Sequence, residues 1–237
     1  MKQSYYFLAL AATLVLSSCN YRQYTSNEFD EIAYDQQSIA IMPIEIIYMG
    51  KKPKKLTDDE VQDLILEESL LYQSSLHKEI HGRNQASQDA PRITVQSHRT
   101  TVARLKEAGI DVESSWRIAP EDLADLLGVD AVLMGKVSTR RLLTDTESLV
   151  IDIAGSVINA IPDVGVLPGT GNRASKSADM TIGYEVIDTR SGTTVWTYAG
   201  TSEASWDDRP EEIIQRINRR AARRFPYSVG RDRMAMR

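Results

Sequence analysis

The sequence predicts an α/β (or α+β) domain in which one mixed sheet, ending in a long C-terminal β-hairpin, carries helices packed on it in a single domain. Three observations lead there. Short apolar runs at 38–47 and 131–137 have strand length. Capped segments of helical period lie between them. Two further strand-like runs, 180–187 and 194–201, flank Asp188-Thr189-Arg190-Ser191-Gly192, a turn-rich loop that makes them a hairpin. The order is strand, helix, strand, helix, helix, strand, strand, strand, helix, with no internal repeat.

Each element has its own reason. The run 38–47 contains IAIMPIEII, and Pro43 limits pairing near its end. Thr57-Asp58-Asp59-Glu60 is a capping box that opens a helix. Val61, Ile65, Tyr72, Leu76 and Ile80 follow at helical spacing, with Ser69 in the same stripe and Gly82 as the expected stop. Residues 84–90 read as loop, 93–96 as a short strand, and 101–108 as a helix stopped by Gly109. Pro120 suits a first helical position, and Glu121 and Asp122 face the positive end of the helix dipole. Leu123, Leu126 and Leu127 form the buried side, and Gly128 ends the helix. Pro210 opens the last helix, with Ile213, Ile217, Ala221 and Phe225 along one face and Pro226 after its end.

Charge is unevenly spread. The chain of 237 residues has a net charge of −5, yet 209–237 holds nine Arg against Glu211, Glu212 and Asp232. That basic end, on an acidic remainder, either suits an anionic partner such as lipid head groups or is a solvated helix face. Arg216, Arg219, Arg220, Arg223 and Arg224 are its candidate contact residues.

The first residues have the parts of a secretory signal: Lys2, then 5–16, apolar apart from Thr13, then small residues. The apolar run is too short to span a bilayer as a stable helix. Leu16-Ser17-Ser18-Cys19 resembles a bacterial lipoprotein signal, with Cys19 the only cysteine of the chain. The resemblance implies lipidation of the Cys19 thiol, cleavage before it and acylation of the new amino terminus. Two or three acyl chains anchor durably where one does not. Asn20, in place of Asp, implies by the same analogy the outer membrane, and the lack of an acidic cluster after Cys19 implies its periplasmic face. With Cys19 acylated no thiol remains for disulfides or thiolate metal sites. Nucleic acid is excluded as a partner by the export signal. The expected organisation is a signal at 1–18, a polar flexible tether at 19–37, an α/β domain at 38–228 and a basic tail at 229–237.

The segment 142–178 is an insertion between two sheet strands. Val150, Ile153, Ala154, Val157, Ile158 and Ile161 recur at three and four residues, as in an amphipathic helix. Pro162 breaks it, and VGVLPGTGNRASKS follows. The helix either covers the sheet or docks on a partner or a neighbouring subunit, with Val150, Ile153 and Val157 as candidate contacts.

Three strings carry a wider resemblance. IAIMPI, LADLLGVDAVLMGKV and ADMTIGYEVIDTRSGTTVWTYAG resemble the first strand, the helix–strand unit and the hairpin of the TolB amino-terminal-like fold. That group includes the curli secretion lipoproteins, the LpoB-like activators of penicillin-binding proteins and the GNA1162-type lipoproteins. The resemblance implies a non-enzymatic envelope lipoprotein that binds a protein partner or forms a homo-oligomer. It also implies an alternative, a subunit of a curli-secretion-like export pore. The helical period of the insertion speaks against spanning strands, which alternate with period two. At the matched turn, Asp188, Ser191, Gly192 and Trp196 have structural readings, as has Gly135.

No set of residues completes a catalytic, cofactor or metal motif. Gly169-Thr170-Gly171-Asn172 lacks the Gly-Lys-Ser/Thr of a phosphate loop. Ser75-Leu76-His77-Lys78 has the Ser-x-x-Lys spacing without its two companion motifs. His77 and His81 lie four apart, but a zinc site needs further ligands, and His98 has no partner evident from spacing. Asp58-Asp59 and Asp207-Asp208 fall at helix starts, where capping accounts for them.

Overall fold

Pro43 divides the isoleucine-rich run at 38–47 into two strands rather than one. In the computed structural model, which describes residues 21–49, 56–86, 93–141, 178–204 and 209–228, Ser38–Ile41 forms β2 and Glu45–Tyr48 forms β3. Both pair in parallel with one long strand, β5 (Ala131–Arg141): Ile39 opposite Ala131, then Glu45 opposite Lys136. Proline lacks the N–H a ladder needs, so the chain interrupts its pairing there and resumes it one step along the same neighbour.

The remaining strands are β1 (Tyr21–Thr25), β4 (Thr94–Val95), β6 (Ala178–Asp188) and β7 (Thr194–Ala204). The sheet has seven strands in the order β1-β7-β6-β5-β2-β4, with β3 also on β5. The pairs β5–β6, β6–β7 and β7–β1 are antiparallel, and β2 is parallel to β4 and β5. This is the mixed α/β sheet that the sequence predicts, with longer hairpin strands.

The expectation of a flexible tether at 19–37 is corrected from Tyr21 onward. Tyr21–Thr25 adds β1 to the edge of β7, and Phe29–Asp35 forms helix α1, with Phe29 and Ala33 buried. An edge strand exposed at nearly every position and a helix with two buried residues leave little hydrophobic period to read. What holds β1 is the row of backbone groups that β7 would otherwise leave unpaired.

Helix α2 (Asp58–Ala86) begins at the expected capping box: the Glu60 carboxylate accepts from the Thr57 N–H at 2.7 Å, and the Thr57 hydroxyl accepts from the Glu60 N–H at 3.2 Å. It runs through Gly82, the expected stop, and into the residues read as loop. Gly82 is exposed, and its helical backbone costs only about 1 kcal/mol relative to alanine. Helices α3 (His98–Glu107), α4 (Val112–Ser115), α5 (Pro120–Leu127) and α6 (Pro210–Ala222) follow, with a 3₁₀ turn at Pro226–Ser228. Gly128 ends α5 in the left-handed region, at φ +59°.

Alternation along the strands builds two cores. Ile39, Ile41, Leu133, Val137, Tyr184, Val186 and Trp196 face α2 and α6, whose Tyr72, Leu76, Ile80, Ile214 and Ile217 complete the larger one. Ala40, Met42 and Val132 face α3 and α5, with Leu105, Leu123 and Leu127. Gly135 has a packing reason: a Cβ there would lie 2.6 Å from the Tyr184 ring and 2.7 Å from Ile44. Among the described residues no helix is long and apolar enough to cross a membrane.

Candidate partner-binding surface

The arginines of α6 follow from its two faces. Ile213, Ile214, Ile217, Asn218, Ala221 and Ala222 are buried against the sheet and α2. The positions between them turn away from the core, and there the sequence places the half-buried Arg216 and the exposed Arg219, Arg220 and Arg223. The charge is well placed for the last turn, where carbonyls point outward and cations are favoured.

The five arginines do not form one free row. Arg219 lies 3.6 Å from Glu79 of α2. The guanidinium of Arg224 stacks over the Tyr21 ring at 3.6 Å, and its backbone carbonyl accepts from the Gln23 amide at 3.4 Å. Arg216 is half-buried. Arg220 and Arg223 are exposed and form no ion pair among the described residues. Arg220 and Arg224 both bear on Tyr198. Burial pushes the Tyr198 hydroxyl up, and the two arginine charges pull against that shift. Val150, Ile153 and Val157, the other candidate contacts, lie outside the described residues, as does Cys19.

The arginines rest on an aromatic stack. Tyr21 stacks on Tyr198 at 6.3 Å, Tyr198 on Tyr184 at 6.3 Å and on Trp196 at 6.2 Å. Trp196 meets Phe225 edge-on at 5.9 Å. The Tyr184 hydroxyl, pushed up by full burial, donates to the Asn218 carbonyl oxygen at 2.6 Å. Trp196 is thus core, as its place after the turn suggests.

At the other end of the strands, polar groups close the sheet. One oxygen of Asp188 accepts from the buried Gln36 amide at 2.7 Å; the other accepts from the Ser191 N–H at 2.9 Å and its hydroxyl at 2.6 Å. Tyr227 donates its hydroxyl to Gln36. Gly192 takes φ +66°, as the hairpin turn requires. Asp130 accepts from the Gln37 and Ser38 N–H groups at 3.0 and 2.9 Å and from the Ser38 hydroxyl at 2.9 Å. Burial pushes the Asp130 carboxyl up, but these bonds and the charge of Arg190 outweigh it and hold it below the usual range.

The chain's three histidines meet, which spacing alone did not show for His98. His77 stacks on His81 with centroids 5.5 Å apart and meets His98 of α3 edge-on at 5.2 Å. Desolvation, then His98 and His81, lower the His77 pKa; desolvation and Arg99 lower that of His98. Among the described residues no group of three His, Cys, Asp or Glu is arranged to hold a metal ion.

No family model matches the chain, and no curated protein does. Solved structures of similar outline include lipoprotein GNA1162 from Neisseria meningitidis, at 13% identity over 79% of this chain and 96% of that one, with TM-score 0.43. A PelC dodecamer from Paraburkholderia phytofirmans gives 11% identity, 85% and 95% coverage and TM-score 0.39. The LpoB C-terminal domain from Escherichia coli gives 12% identity, 70% and 82% coverage and TM-score 0.29. At these scores they neither place the chain in a family nor carry a function to it.

Proposed function

We propose that this chain is a lipid-anchored envelope protein, held at the periplasmic face of the outer membrane through Cys19, whose α/β domain binds a protein partner without catalysing a reaction. It would support assembly or regulation of a cell-envelope machine. The observation that carries the partner reading is the pair Arg220 and Arg223, exposed on a helix whose other side is locked into the core, with no ion pair among the described residues. Exposed arginine beside aromatic side chains is a composition enriched at protein interfaces. The anchor reading rests on Leu16-Ser17-Ser18-Cys19 and the apolar run before it.

Two measurements test this. Cys19→Ser should release the protein from the membrane fraction; normal retention of that variant contradicts the anchor. In-cell crosslinking of the lipidated chain, read by mass spectrometry, should capture an envelope protein, and Arg220→Glu with Arg223→Glu should abolish that capture. Unchanged capture would remove the α6 face from the interface.

A further inference from the structure

We infer that the outer edge of β1 takes up an extended acidic segment of a protein partner, which adds a strand to the sheet beside Arg22, Arg220 and Arg224. This rests on the partner reading above and names the chemistry of the partner. β1 is the last strand on its side of the sheet among the described residues, and it pairs there with β7. The Ser26 N–H donates to the Val195 carbonyl of β7 at 2.9 Å. Peptide groups along a strand face its two sides in turn. Those of Arg22 and Tyr24 therefore also meet β7, and those of Tyr21, Gln23 and Thr25 point outward. Each outward residue brings one donor and one acceptor, the pattern on which an added strand pairs.

Bulges and prolines are two of the devices that blunt such an edge. β1 has neither: its register with β7 runs unbroken from Tyr21 to Thr25, in the sequence YRQYT. Its side chains are exposed from Tyr21 to Tyr24. What guards the edge is positive charge, which repels a basic strand and draws an acidic one.

That charge flanks the edge on both faces. Arg22 lies on one face of β1 and Tyr21 on the other. The Arg224 guanidinium stands over the Tyr21 ring at 3.6 Å, and Arg220, one helical turn earlier, acts on Tyr198 beneath that ring. Neighbouring strands lie about 4.8 Å apart. A carboxylate on the added strand opposite Tyr21 therefore comes within reach of Arg224, and one at the next position within reach of Arg22. The acidic residues that follow β1, Glu28, Asp30 and Glu31, lie past Thr25 in the turn and the first turn of α1. The charged part of the guest segment thus belongs at the Tyr21 end. Tyr24, 55% exposed, offers its ring to a side chain further along. A second copy of β1 fits less well, because its one charged residue is Arg22 and edge-to-edge pairing would add positive charge to positive charge.

The test uses the full lipidated chain in neutral detergent, with a synthetic peptide of alternating Glu and Thr and a Lys–Thr peptide of the same length. Amide hydrogen exchange, resolved residue by residue, reads the edge. In the free chain the amides of Arg22 and Tyr24 should exchange slowly and those of Tyr21, Gln23 and Thr25 fast. The Glu–Thr peptide should slow those three, and the Lys–Thr peptide should not. Gln23→Pro removes one outward N–H, a change that edge strands tolerate. It should weaken peptide binding about ten-fold, whereas Gln23→Ala should leave binding nearly unchanged. Slow exchange at Arg22 and Tyr24 shows that β1 is still in place in the proline variant; where it is not, the arginine substitutions decide. Arg22→Gln and Arg220→Gln should each weaken binding about two- to five-fold. No binding of the Glu–Thr peptide, binding that leaves the three outward amides unprotected, or equal binding of the Lys–Thr peptide would overturn the inference. Protection of those amides that rises with protein concentration, without peptide, would put a second copy on the edge and overturn it too. The two readings fail separately. An envelope protein captured in cells and lost on Arg220→Glu with Arg223→Glu, while the acidic peptide leaves the amides unprotected, sinks the added strand and leaves the partner reading. Failure to capture any envelope protein sinks the partner reading and the inference together.

Discussion

The two ends of the sheet are built on different principles. At the turn end, Asp188, Asp130, Gln36, Ser38 and Tyr227 bind strands, helix α1 and the 3₁₀ turn to one another through buried or half-buried hydrogen bonds. At the other end β5 finishes, β6 begins and β7 finishes, and the side chains described toward it include the exposed Thr181 and Thr201. One end fixes the fold through its hydrogen bonds; the other exposes Thr181 and Thr201. The contrast separates residues whose change should cost stability from those whose change should not.

The largest effect is expected at Asp188. Asp188→Ala removes the acceptor for the Gln36 amide and for Ser191, and leaves the buried Gln36 donor without its partner. A buried polar group left unpaired costs about 1–3 kcal/mol, and charged acceptors sit at the upper end. Urea unfolding should show a loss of about 2–4 kcal/mol. Thr201→Ala at the opposite end should change it by less than about 0.5 kcal/mol. Equal losses would mean that the ends are not distinct.

Glycines repeat the contrast at smaller scale. Gly192 holds φ +66° in the turn, so Gly192→Ala should cost about 1–2 kcal/mol. A Cβ there would also meet the Glu121 carboxylate at 2.7 Å, but that side chain can swing aside. Gly183, within β6, has nothing within 4 Å of its would-be Cβ. Gly183→Ala should be neutral or stabilise by up to about 0.5 kcal/mol through the unfolded chain.

Much of this was legible in the sequence for a physical reason. Thr57 to Glu60, Pro120, Gly128 and the Asp188–Gly192 turn signal locally, because capping and positive φ depend on a few adjacent residues. The apolar stripe of α2 and the buried Trp196 follow from period and hydrophobicity. What was not legible depends on pairing across the fold. β1 is polar and short, and only the free edge of β7 makes it a strand. α2 continues through Gly82 because packing of Ile80 and Leu76 outweighs a weak local stop. His98 meets His77 across two helices that no spacing connects. The candidate surface was legible as a run of arginines, but not the division of labour within it: Arg224 is spent on Tyr21 and Arg219 on Glu79, which leaves Arg220 and Arg223.

Acid should strip Asp130 and the histidine cluster in separate windows. The Asp130 carboxyl has a folded pKa below its unfolded value of about 3.9, so its contribution is present above that value and lost as pH falls through the folded pKa. His77 also has a lowered folded pKa, but here the neutral form is favoured by folding. The unfolded chain takes the proton first, so stability falls as pH drops from about 6.5 toward the folded pKa. Unfolding measured from pH 7 to 3 should show both slopes. His77→Gln with His98→Gln should flatten the upper one alone, and Asp130→Asn should reduce only the lower one, to which the lowered Asp111 carboxyl also contributes. A single slope abolished by either change would contradict the separation.

The smallest change in stability belongs to the surface with the largest proposed role. Arg220→Gln with Arg223→Gln removes two exposed charges that pair with no described residue, so unfolding should move by no more than about 0.5 kcal/mol. Arg219→Gln, which breaks a partly exposed contact with Glu79, should cost about 0.2–1 kcal/mol. Yet the first pair, and not the second substitution, should weaken partner capture. If Arg219→Gln weakened binding as much while Arg220→Gln with Arg223→Gln did not, the working surface would lie between α6 and α2 rather than beside β1. Stability and binding are thereby read on neighbouring residues of one helix, where a general loss of folding would move both readouts together and a true interface moves only one.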